Sequence, residues 1–165
     1  MATRLIVTAG VIVGADQWEV WDLAVDWARQ HRWILATRTQ GGHGLGARVT
    51  GRTSIGPVGF TDPMLITEWD PPNRCTVTHQ GKIVRGEGIF EVLPGDGRGR
   101  RNGTGTRGAP DAQTRTEFRW TERIELPLPP VIGRPLARLL IGPITRAGLA
   151  SSLRRFAGLL TAPAS

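Results

Sequence analysis

Residues 4–27 run RLIVTAGVIVGADQWEVWDLAVDW, a strand that leads directly into a capped helix. Leu5, Val7, Val11 and Val13 are among the apolar positions of the strand-like run Arg4–Val13. Asp16 stands three residues ahead of Glu19, the reciprocal spacing of a capping box, so a helix begins at Gln17. Val20, Ala24 and Trp27 recur at helical spacing with Trp21 and Ala28 beside them, which gives that helix one packing face. A second short turn is expected over Gln30–Trp33. Trp18, Trp21, Trp27 and Trp33 crowd this region as an apolar lid on one end of a sheet, or as an aromatic mouth for a ligand.

The chain that follows is punctuated for hairpins. Gly41-Gly42, Gly44 and Gly46 separate a run around Thr37 from Ala47–Thr53, and Gly56-Pro57 and Gly59 precede the run Asp62–Asp70. Pro71-Pro72 ends that strand, Arg74–Gln80 forms the next, and Gly81-Lys82 turns into Ile83–Leu93. In the last strand, Gln113–Leu126, Thr114, Thr116, Phe118, Trp120, Ile124 and Leu126 share one face, with Arg115, Glu117, Arg119, Arg123 and Glu125 on the other. Beyond Pro127 the chain turns helical, with a short piece expected over Arg134–Ile141, an interruption at Gly142-Pro143, and a longer helix over Ile144–Leu160. Leu149, Leu153, Phe156 and Leu160 form its stripe, among small residues such as Gly148, Ser151 and Ser152. The expected fold is α+β: a curved antiparallel sheet of six to seven strands gripping a long C-terminal helix, with one or two short helices after the first strand and a cavity as its usual product.

At 165 residues the chain reads as one domain, 1–165, able to bury roughly 70% of its unfolded surface. The sequence has no long uncharged apolar run and no signal-peptide pattern, so a cytoplasmic location is expected. Cys75, the only cysteine, reads as a buried structural thiol. The net charge of +7 is localised. Residues 1–93 and 113–130 are each balanced, 94–112 carry four arginines against two aspartates, and 131–165 carry five arginines and no acid. The stretch 94–112 lacks Val, Ile, Leu, Phe and Trp, and so reads as a flexible Gly/Arg-rich loop. No aromatic residue is interleaved with its arginines, which argues against nucleic acid as a partner.

Strand parity marks the candidate site. Glu122 falls on the inward face of Phe118, Trp120 and Ile124, and His79 shares a face with Cys75 and Val77. An ionisable group turned inward needs a partner or a shifted pKa. These two are the candidate catalytic pair, or the polar fixtures of a pocket. Gly86 and Gly88 lie on the face of Val84, Phe90 and Val92, where they either leave volume empty or mark a bend. The expected cavity residues are Val77, Arg85, Gly86, Gly88, Phe90, Phe118, Trp120, Leu149, Leu153 and Phe156. His31, His43 and His79 are too scattered for a local metal motif, and no phosphate-binding loop or Gly-x-Ser-x-Gly elbow occurs. No metal or cofactor is expected.

Asp16-Gln-Trp-Glu-Val-Trp-Asp-Leu, Asp26-Trp, His31-Arg-Trp33, Asp62-Pro-Met, Glu68-Trp-Asp-Pro-Pro72, Arg85-Gly-Glu-Gly88 and the Arg-rich end Leu149–Leu160 together resemble the SRPBCC superfamily. That superfamily includes START lipid-transfer domains, polyketide cyclase/dehydrase-like proteins and the major birch-pollen allergen. The resemblance covers nearly the whole chain and implies a helix-grip fold with an apolar cavity for lipid-like or polyketide-like molecules. It carries no shared catalytic motif, and the absence of tyrosine removes one common acid/base group from a cyclase pocket. Three functions are expected in order: a binder of a hydrophobic or amphipathic molecule; a cyclase or dehydratase acting on such a molecule through His79 or Glu122; and a module docking an acidic partner, such as an acyl carrier protein, a nucleic acid or an anionic membrane surface, through the basic helix and loop.

Overall fold

The computed structural model describes residues 3–82, 84–95, 115–126 and 129–161. Seven strands, β1 (Thr3–Val13), β2 (Thr37–Gly41), β3 (Arg48–Ile55), β4 (Val58–Asp70), β5 (Arg74–Gln80), β6 (Arg85–Pro94) and β7 (Thr116–Leu126), form one curved antiparallel sheet. Its order is β1-β7-β6-β5-β4-β3-β2. The strands from β2 to β7 thus follow one another as hairpins, and the last returns beside the first. Between β1 and β2 lie α1 (Gln17–Ala24) and a 3-10 helix (Trp27–Arg32). The chain closes with α2 (Pro130–Leu136), a π-helical turn (Ala137–Ile141) and α3 (Gly142–Thr161). The expected fold class is the observed one. Of the expected flexible loop, residues 96–112 lie outside the described residues, as do Ile83, Gln113 and Thr114.

The capping box forms as its spacing requires: the Glu19 amide donates to Asp16 Oδ1 at 2.9 Å and the Asp16 amide donates to Glu19 Oε2 at 3.1 Å. The helix stops at Ala24, earlier than the apolar spacing indicates, because Asp26 caps a separate 3-10 helix through the Arg29 amide. Trp27 therefore belongs to that second helix, and Ala28 is exposed. At the other end the expected interruption at Gly142-Pro143 does not occur. The helix runs on through the π turn, where the Gly142 amide donates to the Ala137 carbonyl. A five-residue step widens the backbone where proline cannot donate and its ring needs room.

The alternation in β7 holds, with Phe118 and Trp120 buried. On the outer face Arg123 pairs across the sheet with Glu87 at 3.1 Å. Trp33 is no lid. It sits fully buried at the centre of the core, with ring centroids 5.0–5.9 Å from Phe90, Phe118, Trp120 and Phe156.

Gly86 proves to be a backbone requirement rather than an opening. Its φ is +123°, and a Cβ there would lie 1.8 Å from the Arg123 carbonyl oxygen on β7. Gly86→Ala should lower stability by about 2 kcal/mol or more, seen as an earlier urea midpoint. An unshifted midpoint would contradict this path for β6.

Candidate functional site: a cavity with a buried charge chain

Between the sheet, the 3-10 helix and α3 lies a cavity of about 400 Å³. Met64, Val77, Phe90, Trp120 and Leu149 supply apolar wall, and Gly148 and Ser152 keep the α3 side open. Ser152 Oγ accepts from the Leu35 amide at 3.2 Å and so ties α3 to the segment after the 3-10 helix.

The polar end is assembled from three strands. Asp62 comes from β4, His79 from β5 and Glu122 from β7. Cross-strand pairing runs His79↔Gly86 and Val77↔Gly88 between β5 and β6, then Gly88↔Glu122 between β6 and β7. β5 and β7 are not neighbours, yet His79 reaches Glu122. It does so because β6 presents Gly88 between them: a Cβ there would stand 3.2 Å from Glu122 Oε1 and 3.4 Å from His79 Nε2, and the imidazole reaches across the space a side chain would fill.

His79 Nδ1 lies 2.5 Å from Asp62 Oδ2, and Nε2 lies 3.3 Å from Glu122 Oε2. Trp120 Nε1 donates to the second oxygen, Glu122 Oε1, at 2.7 Å. All three ionisable side chains are close to nine-tenths buried. Burial by itself would push the imidazole down. Hydrogen bonds and charge from Asp62 and Glu122 outweigh it and hold His79 up to about 9. At neutral pH the ring is an imidazolium donating to a carboxylate on either side, and the chain keeps one net negative charge. The two carboxylates address opposite ring nitrogens, so these three donors do not converge on one point as metal ligands must.

Of the residues expected from the sequence, His79, Glu122, Val77, Gly88, Phe90, Trp120 and Leu149 meet at this cavity. Five do not. Phe118, Leu153 and Phe156 are spent on the core around Trp33. Arg85 and Gly86 line a second groove, of about 750 Å³ at the sheet's end, which meets the cavity at His79 and Ile124. That groove is walled mostly by half-buried and exposed residues of mixed polarity, and Arg4 and Arg123 in it are already paired with Glu125 and Glu87. The hollow beneath α3, with its predominantly apolar wall, is the better candidate.

Sequence reasoning missed Asp62, 8% exposed, whose Oδ1 has no partner among the described residues. It shares strand parity with Met64 and the buried Ile66, the same signal that marked Glu122. Cys75 is buried as expected, and burial, with the Glu68 charge adding, pushes its thiol up to about 12. It lines the cavity as a neutral group.

These features define an α+β protein whose seven-stranded antiparallel sheet and C-terminal helix enclose a small-molecule-sized cavity. No protein-family model and no curated protein matches the chain in sequence. Solved structures do match in fold. TTHA0849 from Thermus thermophilus is 18% identical, with 97% of this chain and 99% of that one covered and a TM-score of 0.67. Protein Ms6760 from Mycobacterium smegmatis is 15% identical, with 98% and 93% covered and a TM-score of 0.60. The di-domain ARO/CYC BexL from the BE-7585A biosynthetic pathway is 16% identical, with 96% of this chain and 48% of that one covered and a TM-score of 0.65. At such identities the likeness is one of fold. Among the described residues no helix is long and apolar enough to cross a membrane.

Proposed function

We propose that this chain binds a hydrophobic or amphipathic small molecule, lipid-like or polyketide-like, in the cavity between sheet and α3, as the SRPBCC proteins it resembles do. One observation carries the reading: a partly open hollow of about 400 Å³ with mostly apolar walls and the Asp62, His79 and Glu122 side chains on its lining. Apolar wall supplies binding energy, and a few convergent polar groups fix orientation. The charge chain carries a net negative charge in a poorly solvated place, so the ligand end that meets Glu122 is a hydrogen-bond donor, such as a hydroxyl, rather than a carboxylate. The fold shared with BexL, an ARO/CYC protein, supports a polyketide-like ligand.

Gly88 provides the test. A Cβ there would stand 3.2 Å from both Glu122 Oε1 and Val77 Cγ2, so a larger side chain must project into the hollow. Gly88→Leu should weaken uptake of an apolar fluorescent probe about a hundredfold, or by about 2.7 kcal/mol. Overpacking should reduce stability by only about 1–3 kcal/mol, with the far-UV spectrum preserved. Unchanged affinity in the folded variant would remove the cavity reading.

The His79 chain favours a second reading, a dehydratase or cyclase. On a β-hydroxy carbonyl, Glu122 would take the proton from the α carbon while the imidazolium protonates the departing hydroxyl. Water leaves, a carbon–carbon double bond forms, and no oxidant is needed. On that reading Glu122→Gln retains binding and loses turnover.

A further inference from the structure

The first half of the closing helix inverts the usual amphipathic arrangement. Its buried positions are the small residues Gly133 and Ala137, while Val131, Ile132, Leu139, Leu140 and Ile144 stand between 53% and 85% exposed. Gly142 continues the close approach, since a Cβ there would lie 3.4 Å from Leu5 Cδ1 on β1. A helix that packs by its smallest residues and presents its largest aliphatics outward has been left with an unmatched surface. Arg134, Arg138 and Arg146 are set among those aliphatics, and no acidic residue occurs from Val131 to the end of the sequence.

We infer that the segment Val131–Arg146 is a docking surface for an anionic lipid bilayer, on which the aliphatic side chains enter the acyl boundary and the arginines meet phosphate. Aliphatic bulk with interspersed arginine is the composition of helices that lie in the plane of a membrane interface. A second copy of the chain fits poorly, because a two-fold contact through this acid-free helix would set arginine against arginine. An acidic protein fits less well than lipid, because the patch is built of Val, Ile and Leu, and valine and leucine are under-represented among the residues that anchor protein interfaces. Thr145, Gly148 and Leu149, at the end of this segment and just beyond it, line the cavity, so docking here brings the cavity wall to the lipid surface. The docking inference stands apart from the cavity reading and is tested without it.

The experiment is flotation of the full chain with two vesicle preparations, phosphatidylcholine alone and an equal mixture of phosphatidylcholine and phosphatidylglycerol. Binding should appear with the mixed vesicles and fall steeply as salt is raised. Each of Arg134→Gln, Arg138→Gln and Arg146→Gln should weaken it about fivefold. Leu139→Ser with Leu140→Ser should weaken it about tenfold or more. Both leucines are exposed, so unfolding temperatures should hold; a variant that melts early is replaced by its single-site counterpart. No flotation, equal flotation with both vesicles, or insensitivity to these substitutions overturns the inference. Salt-sensitive binding to an acidic carrier protein without vesicle binding overturns it in favour of a protein partner.

Discussion

A Trp33→Ala protein should lose about 3–5 kcal/mol of stability, among the largest effects of any single substitution in this chain. Trp33 is fully buried, and four other aromatic rings close on it: Phe90 and Trp120 from the sheet face, Phe118 beside them, and Phe156 from α3 at 5.0 Å. Removing the indole leaves a hole bounded by both layers, and rings packed edge-to-face around it relax into such a hole only in part. A domain of this size typically has about 5–15 kcal/mol in total, so equilibrium unfolding in urea should show a much earlier midpoint with a similar slope. Trp33→Phe sharpens the test. The indole nitrogen is buried without a partner among the described residues, so phenylalanine gives up ring volume while removing an unmatched donor, and should cost well under half as much as alanine. Equal losses for the two variants would contradict this account of the core.

Stability should also fall by about 3 kcal/mol as pH is raised from 6.5 through 9, a change that belongs to His79. The sign follows from the direction of its shift. Folded His79 holds its proton up to about 9 while the unfolded side chain releases it near 6.5. The stabilisation is therefore complete below the unfolded value and is lost as pH climbs through the folded one. Cys75 joins only at the top of that window: its thiol is raised from 9.0 to about 12 by burial first and the Glu68 charge second, so stability is lost to it as pH rises past the point where the unfolded thiol ionises. His79→Ala at pH 7 leaves Asp62 and Glu122 on either side of the vacated ring position, largely buried and without the cation they shared, and should lower stability by about 3–5 kcal/mol. In that variant the slope between pH 6.5 and about 8 should vanish, leaving only the fall near pH 9 that belongs to Cys75. A parent protein whose urea midpoint stays level across the window would show that the imidazolium is not held by this pair.

Most of the fold was legible because its signals are local. Strand parity in β7, the Asp16–Glu19 box and the turns at Gly56-Pro57 and Pro71-Pro72 each depend on neighbours a few residues apart, and each appears where its chemistry places it, whereas Gly41 and Gly59, read as lying outside the strands, stand within β2 and β4. The misreadings at the helices are also local, but they turn on competition. Asp26 offers a second cap that ends α1 early, and a π turn carries the closing helix past Pro143.

The site was half legible. Parity places His79 and Glu122 inward, and the same argument applied to β4 would have added Asp62. Parity assigns a face, however, and not a place on it. It cannot separate Phe118 and Phe156, which fill the core, from Phe90 and Trp120, which bound the hollow. Nor does it distinguish Gly86, which avoids the Arg123 carbonyl, from Gly88, which opens onto the cavity.

The sequence by itself determined the order of elements, their inward faces, the need of two buried ionisable groups for partners, and the acid-free arginine-bearing end. Only the tertiary structure decided that those groups join through Asp62 into one chain, that Trp33 lies at the centre, and which aliphatic residues of the last helix remain outside. The reason is distance along the chain: a carboxylate from β4, an imidazole from β5 and a carboxylate from β7 become neighbours only when the sheet has set its register, and nothing within a few residues of any one of them records where the others will stand.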